Sequence, residues 1–341
     1  MASNLVTGGA GFIGSHVVDE LIRGGNYVVV LDDLSGGRIE NVNPEAEFVQ
    51  GSVVDSCLVD RLFGDHEFEY VFHLAAYAAE GLSHFIKKFN YENNLIGSVN
   101  LINGAVNQGS VKCFVFTSSI AVYGSGQVPM TEAQIPCPED SYGIAKMAVE
   151  RELHITHQLF SLPFIIFRPH NVYGERQNLA DPFRNVIGIF MNQAMRGQPF
   201  TIFGDGSQTR AFSHIADIAP IIADAIHDRR NYGEVFNIGA DQPYTICELA
   251  QAVATAMDVE MEVEYLPRRF EVEHAFADHS KSKRAFGEKL GRVSLQEGLA
   301  RMASWAKSVG PQDPRSFYGV EILKGLPPSW SSRITQPEPP G

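Results

Sequence analysis

One short stretch near the N-terminus restricts the fold more than any other part of the chain. Thr7-Gly8-Gly9-Ala10-Gly11-Phe12-Ile13-Gly14-Ser15 follows the apolar run Asn4–Thr7 and opens a helix-period segment, Ile13/Val17/Leu21 with Val18/Ile22. Each glycine of such a strand-to-helix turn has a physical purpose. Gly8 permits the tight turn, Gly11 lets backbone N–H groups approach a pyrophosphate, and Gly14 lets the helix lie close to the strand. Eighteen residues after Gly14 the next apolar run ends in Asp32-Asp33. A carboxylate there accepts hydrogen bonds from ribose hydroxyls and repels a 2′-phosphate, so the expected cofactor is NAD rather than NADP. A glycine turn with a helix-capping aspartate and no nucleotide is the competing reading, and the strand–turn–helix context with its spaced acid disfavours it.

The rest of the first half continues the same grammar. Tyr27–Leu31, Glu47–Gln50, Tyr70–Leu74, Cys113–Thr117 and Phe164–Phe167 are further strand candidates, most of them nearly continuous in apolar residues, as strands buried on both faces should be. Between them Leu95/Val99/Ile102/Val106 and Ala145/Ala148/Val149/Leu153 recur at helical spacing. Alternation of this kind predicts an α/β fold with a Rossmann-type doubly wound parallel sheet. After Arg168 the elements shorten, and the pairs Thr245/Glu248 and Ser294/Glu297 mark two helix starts as capping boxes. The expected division is an NAD-binding domain over 1–170 with a return segment near 210–240. A smaller interleaved substrate domain takes 171–209 and 241–325, and 326–341 form a tail around the apolar anchor Leu326-Pro327-Pro328-Ser329-Trp330.

Composition narrows the partners. With 27 Lys+Arg against 40 Asp+Glu in 341 residues the formal charge is −13, and no run of four basic residues exists, so a nucleic-acid partner is not expected. Small anions remain open, since a helix N-terminus and a few placed arginines bind them on an acidic protein. The four cysteines are widely spaced without a CxxC or Cys/His pattern, and His154 with His157 lack a third ligand, so no metal is expected. No apolar run approaches the ~18 residues of a membrane span, and the turn starting at Thr7 leaves no room for a signal peptide. The expected setting is the cytoplasm.

Two further motifs carry chemistry. Phe114-Val115-Phe116-Thr117-Ser118-Ser119 ends a buried strand in hydroxyls, at the edge where open α/β sheets bind ligands. Ser141-Tyr142-Gly143-Ile144-Ala145-Lys146 places Tyr142 and Lys146 four apart on one helix face. An ammonium beside the phenol, together with a positive nicotinamide ring, favours the phenolate and makes Tyr142 a usable base. Lys146 can also bond the nicotinamide ribose, and Ser119 the substrate hydroxyl. An aromatic–lysine pair packed only for stability is the alternative.

With these residues in view, the chain resembles the extended short-chain dehydrogenase/reductase family, specifically its NAD-dependent nucleotide-sugar epimerases and dehydratases such as UDP-glucose/UDP-galactose 4-epimerases. The resemblance runs through Gly8 to Ser15, Asp32, His73 to Ala76, Asn93-Asn94 with Gly97, Ser118 to Gly124, Tyr142/Lys146, Arg168 to Gly174, Phe203 to Gly206 with Thr209-Arg210, and Ala277-Asp278. It implies Ser119, Tyr142 and Lys146 as catalytic residues. It implies NAD contacts from Gly8, Gly11, Phe12, Ile13, Gly14, Asp32, Asp33, Ser35, Gly37, Ser52, Val53, Leu74, Ala75, Ala76 and Asn94, besides Tyr142 and Lys146. On the substrate side it implies Ser119, Tyr142, Asn171, Asn185, Thr201, Phe203, Arg210, Arg268 and Glu271, with Phe203 stacked on uracil and the two arginines clamping the diphosphate.

Family members that eliminate or decarboxylate carry a carboxylate where this chain has Ile120 and Ala121. Lacking it, the chain keeps the minimal set for oxidation and reduction at carbon 4 of a UDP-hexose. Asn178, where glucuronate epimerases present an arginine, favours a neutral hexose, and Ala275 leaves room for a 2-acetamido group. A UDP-glucuronate 4-epimerase is the runner-up, followed by a dehydratase or reductase and a non-catalytic NAD-binding regulator. Segments 94–106 and 147–159 resemble the helices of a four-helix dimer interface, which implies a homodimer.

Overall fold

The structure, a computed structural model, describes residues 2–331 and 334–335. Seven parallel strands form the main sheet in the order Glu234–Ile238, Phe164–Pro169, Cys113–Thr117, Tyr70–His73, Ser3–Thr7, Tyr27–Asp32, Glu47–Gln50. In the strand Ser3–Thr7 Leu5 lies opposite Val29 on one side and Val71 on the other. Strand side chains alternate between two apolar layers. Val6, Val28, Val30, Phe72, Val115 and Ile165 join Val17 and Leu21 of the helix Phe12–Arg23 and Ile218, Ile221 and Ile222 of Ile215–Asp224. Leu5, Val29, Leu31, Val71, Phe114 and Ile166 meet helices Ser56–Asp65, Gly97–Gln108 and Ser141–Phe160 on the other face. Both faces are covered, which is why the strands read as unbroken apolar runs.

A separate core gathers Ile187, Phe190, Phe200, Ile202, Leu249, Val253, Leu299 and Met302 from helices Val186–Met195, Ile246–Met257 and Leu295–Val309 and the strand Phe200–Phe203. Thr245 and Glu248 form the reciprocal capping box read from the sequence, while Ser294 accepts a hydrogen bond from the Glu297 N–H. One stretch departs from the expected boundary at 241. Phe286 packs on the sheet side against Phe167 and Phe236, and Leu290 joins the same core, because the helix Ser280–Phe286 lies along the edge strand Glu234–Ile238.

The expected tail is partly an ordered cover. Trp330, 4% exposed, sits edge-on to Phe85, Phe183 and Phe203 in an apolar cluster with Leu82, Ile86 and Val320. Residues 332–333 and 336–341 of the expected tail lie outside the described residues. Strand order reverses between Ser3–Thr7 and Tyr70–His73, and ligands of open α/β sheets bind at the carboxyl end of such a switch point.

Candidate active site

A cavity of about 450 Å³ opens at that switch point. Its floor is the glycine turn. A Cβ on Gly14 would lie 2.0 Å from the Gly8 carbonyl oxygen, and one on Gly8, whose φ is +72°, 2.8 Å from the backbone of Ala75. Glycine is therefore required at both positions, and the first turn of the helix reaches the cavity unobstructed. That helix has no side-chain cap and no acidic residue in its first turn, so its N-terminal N–H groups remain free for an anion. Gly14→Ala is expected to leave at least tenfold less NAD on the purified protein, measured by absorbance after denaturation.

Asp32 ends its strand at the cavity edge. Its carboxylate accepts hydrogen bonds from the N–H groups of Ala10 at 3.0 Å and Leu34 at 2.8 Å. Burial pushes its carboxyl up, and those two bonds oppose the rise. Asp33 holds the following loop by accepting from the Ser35 N–H, and Ser35, Gly37, Ser52, Val53, Leu74, Ala75 and Ala76 complete the same wall. A free helix N-terminus with a carboxylate beside it fits a dinucleotide.

Asn94 is not part of that wall. It is buried behind it, accepting from the Tyr77 N–H at 2.9 Å and donating to the Tyr77 carbonyl and to Asn90. A π-helical turn, Glu92–Ile96, rotates Asn94 inward, where it braces Tyr77, itself a cavity residue.

Ser119, Tyr142 and Lys146 converge on the cavity from the strand end at Thr117 and the helix Ser141–Phe160. The Asp140 side chain caps that helix by accepting from Gly143 N–H at 2.8 Å. Ser119 Oγ accepts from the Ala121 N–H at 3.1 Å, and its hydroxyl, beside the Tyr142 oxygen, favours the phenolate. Lys146, 1% exposed, donates to the Thr117 carbonyl at 2.9 Å, with Nζ 5.8 Å from the Tyr142 ring centre. Burial pulls the Lys146 ammonium down to about 7, and Glu150 holds it up. The expected lowering of the Tyr142 pKa does not arise from the chain alone. Burial raises that phenol, and the nearby carboxylates Glu80 and Asp140 add to the rise, while Ser119 and Arg184 oppose it. The expectation drew on two positive charges, and only the ammonium belongs to the protein.

Behind the triad runs a buried polar chain that the motifs did not reveal. Glu150 accepts from Ser118 Oγ at 2.5 Å and from both sides of the Arg168 guanidinium; Arg168 donates to the Tyr123 hydroxyl at 2.7 Å, which donates to Asn237 at 2.8 Å. His73 bridges Thr7 and Ser98, each at 2.7 Å, and burial with the Lys146 charge holds its pKa well below 6.5.

The opposite end of the cavity is lined by Asn171, Asn185, Thr201, Phe203, Arg210 and Glu271. Asn171 and Asn185 both have positive φ, 41° and 63°, a region asparagine tolerates better than most residues. The Arg210 guanidinium donates to the carbonyls of Thr209, Val272 and Glu273. Arg268 is a correction: it points outward, 63% exposed, toward Asp205 and Glu273. Its neighbour Arg269 faces the cavity instead, paired with Glu271 and lying 4.5 Å over the Phe203 ring. One face of Phe203 is thus already covered by a guanidinium. Arg184 was also missed. It pairs with Asp181 at 2.6 Å, covers Tyr77, and reaches the loop at Gly36, where a Cβ would lie 3.3 Å from its Nη2. Its place beside Asn185 was the available signal.

Comparison with known proteins agrees with this geometry. The family model described as the NAD dependent epimerase/dehydratase family matches residues 4–239. The chain belongs to this family. A putative UDP-glucose 4-epimerase of Methanocaldococcus jannaschii is 34% identical over 310 residues, covering 89% of this chain and 98% of the relative. The crystal structure of a UDP-glucose 4-epimerase from Thermotoga maritima with UDP-glucose superposes with a TM-score of 0.86 at 36% identity, covering 90% of this chain and 99% of that one. A UDP-N-acetylglucosamine 4-epimerase from Methanobrevibacter ruminantium, solved with UDP-N-acetylmuramic acid, gives 0.84 at 30% identity, with coverage of 90% and 99%. As a member of this family the chain is an NAD-dependent enzyme, and the free helix N-terminus and Asp32 are where its own residues suit that cofactor.

Proposed function

We propose that the protein interconverts UDP-hexoses epimeric at carbon 4, UDP-glucose with UDP-galactose and the corresponding N-acetylhexosamines, through a transient 4-keto sugar. The observation that carries this reading is the convergence of Ser119, Tyr142 and Lys146 at one end of a cavity whose neighbouring positions 120 and 121 are apolar. With Ile120 and Ala121 there, those positions supply no acid or base for carbons 5 and 6.

Tyr142 takes the proton of the 4-hydroxyl and gives it back to the 4-keto oxygen after the sugar has turned over, so that hydride would return to the opposite face of carbon 4. Ser119 holds the departing proton in line, and Lys146 supplies the positive charge that the phenolate needs. NAD, when bound, supplies the acceptor and donor of the hydride at carbon 4. The uncapped N–H groups at Phe12 and Ile13 hold its pyrophosphate, Asp32 its adenosine ribose, and Arg184 adds a cation across the same groove. Arg210 and Arg269 face the diphosphate of the substrate, Thr201 and Phe203 its base. Ala78 and Ala275 leave room for the keto sugar to turn over and for a 2-acetamido group.

The deciding experiment incubates purified protein, without added cofactor, with UDP-glucose, UDP-N-acetylglucosamine and UDP-glucuronate in separate tubes and follows the anomeric protons by NMR. Growth of galacto-configured neutral sugars supports the reading; turnover of UDP-glucuronate alone overturns it.

We place this chemistry in a cytoplasmic homodimer. The helix Ser141–Phe160 exposes Ile144, Ile155 and Leu159, the last 69% exposed, with Ile96 nearby on the helical segment that ends at Gln108. Apolar side chains set along one helical surface mark an association face. Leu159→Glu combined with Ile155→Glu is expected to halve the mass measured by light scattering while leaving the circular dichroism spectrum intact.

A further inference from the structure

Glu80 is a cavity carboxylate that the mechanism above does not use. It opens the short helix Glu80–Ser83, four residues past the Leu74–Ala76 wall, on a different element from Ile120 and Ala121. One serine fixes it against the catalytic helix: Ser83 Oγ donates to the Glu80 carbonyl at 2.6 Å and accepts from the Tyr142 N–H at 3.2 Å. The Glu80 side chain takes part in no hydrogen bond to another described residue, although its charge reaches Tyr142. The arginines near it are committed elsewhere. Arg210 donates to three backbone carbonyls, Arg269 pairs with Glu271, and Arg184 pairs with Asp181. A carboxylate beside the reacting end of the cavity, with its acceptor oxygens free, is completed by a ligand that brings donors.

We infer that Glu80 selects the sugar: its carboxylate accepts hydrogen bonds from the hydroxyls of an uncharged hexose and repels the carboxylate of a hexuronate. The inference rests on the UDP-hexose reading above and names the determinant within that site. A hydroxyl-rich ring satisfies the free oxygens, whereas a uronate places like charges together without an uncommitted guanidinium to compensate. Glu80 is exposed to the cavity, whose enclosing walls, with the neighbouring charges of Asp140 and Glu271 and opposed by Arg210 and Arg269, hold its carboxyl up at about 7. Discrimination against uronates therefore weakens as pH falls through that value, when the repelling charge is lost.

The test compares wild type, Glu80→Gln and Glu80→Ala. Turnover of UDP-glucose and UDP-glucuronate is followed by NMR, and their dissociation constants are measured by calorimetry at pH 6 and pH 8.5. The expected result is a neutral-to-uronate preference at pH 8.5 that falls at least tenfold in both variants, and a wild-type preference that narrows at pH 6 while that of Glu80→Gln stays flat. A preference unchanged within twofold in both variants overturns the selecting role. If wild type turns over neither sugar, the epimerase reading fails and the ratio of dissociation constants still decides Glu80; if it binds neither, both fall. A 4-keto-6-deoxy product lost in Glu80→Gln overturns selection in favour of acid–base work by the same carboxyl.

Discussion

Tyr142→Phe is expected to lower kcat by about 10²–10⁴-fold, the usual worth of a positioned general base. Fold and cofactor content should survive. Ser119 beside the phenol oxygen remains anchored to the Ala121 N–H, so the change breaks no backbone contact. NAD released on denaturation and UDP-glucose affinity are expected within about threefold of wild type. A variant that keeps activity within tenfold would remove Tyr142 from the mechanism. The pH profile gives an independent sign. Burial, Glu80 and Asp140 raise the Tyr142 pKa, with Ser119 and Arg184 opposing, so the active phenolate is lost on the acid side. Removing the ammonium in Lys146→Met takes away a charge that favours the phenolate, and the acid limb of kcat should move to higher pH.

The second large effect is on stability. Glu150 and Arg168 form an ion pair with both side chains 5% exposed. Desolvating such a pair is costly, and removing one partner leaves the other charged in the interior, at about 3–5 kcal/mol. Glu150→Ala is expected to lower the unfolding free energy by that amount in urea titrations, while Glu150→Leu with Arg168→Met recovers most of the loss. A single variant within about 1 kcal/mol of wild type would contradict the burial argument. The pair also bears on chemistry, since Glu150 is the charge that opposes the fall of the Lys146 pKa. Glu150→Ala should therefore lose more activity at pH 8 than at pH 6, because a deprotonated lysine no longer assists the phenol.

The sheet was legible because its physics is local. A parallel strand covered on both faces is an apolar run, and the runs at Tyr27, Tyr70, Cys113 and Phe164 match strands to within two residues, while the edge strand Glu47–Gln50, with both end residues exposed, also keeps its expected bounds. The glycine turn was legible because only glycine fits where a Cβ would stand 2.0 Å from a carbonyl oxygen. The substrate end was less so. Arg268 and Arg269 are neighbours in sequence, and only the path of the loop after the strand Val263–Leu266 decides which one faces inward. Asn94 carried the right signal for importance but the wrong direction, because a π turn rotates a side chain in a way that helical periodicity does not encode. Burial likewise has no local signature, so the rise of the Tyr142 pKa could not be read from its spacing to Lys146.

The position of the strand Glu234–Ile238 bears on how the molecule is assembled. It pairs beside Phe164–Pro169, yet 64 residues separate the two in sequence (169 to 234), most of them building the second core. Until that excursion is complete, Phe-Ile-Ile-Phe presents an unpaired edge of high β propensity. Such distant pairing closes slowly, because chain entropy is lost before the contacts form. Refolding should therefore pass through a species prone to intermolecular strand pairing, and yield should fall with protein concentration.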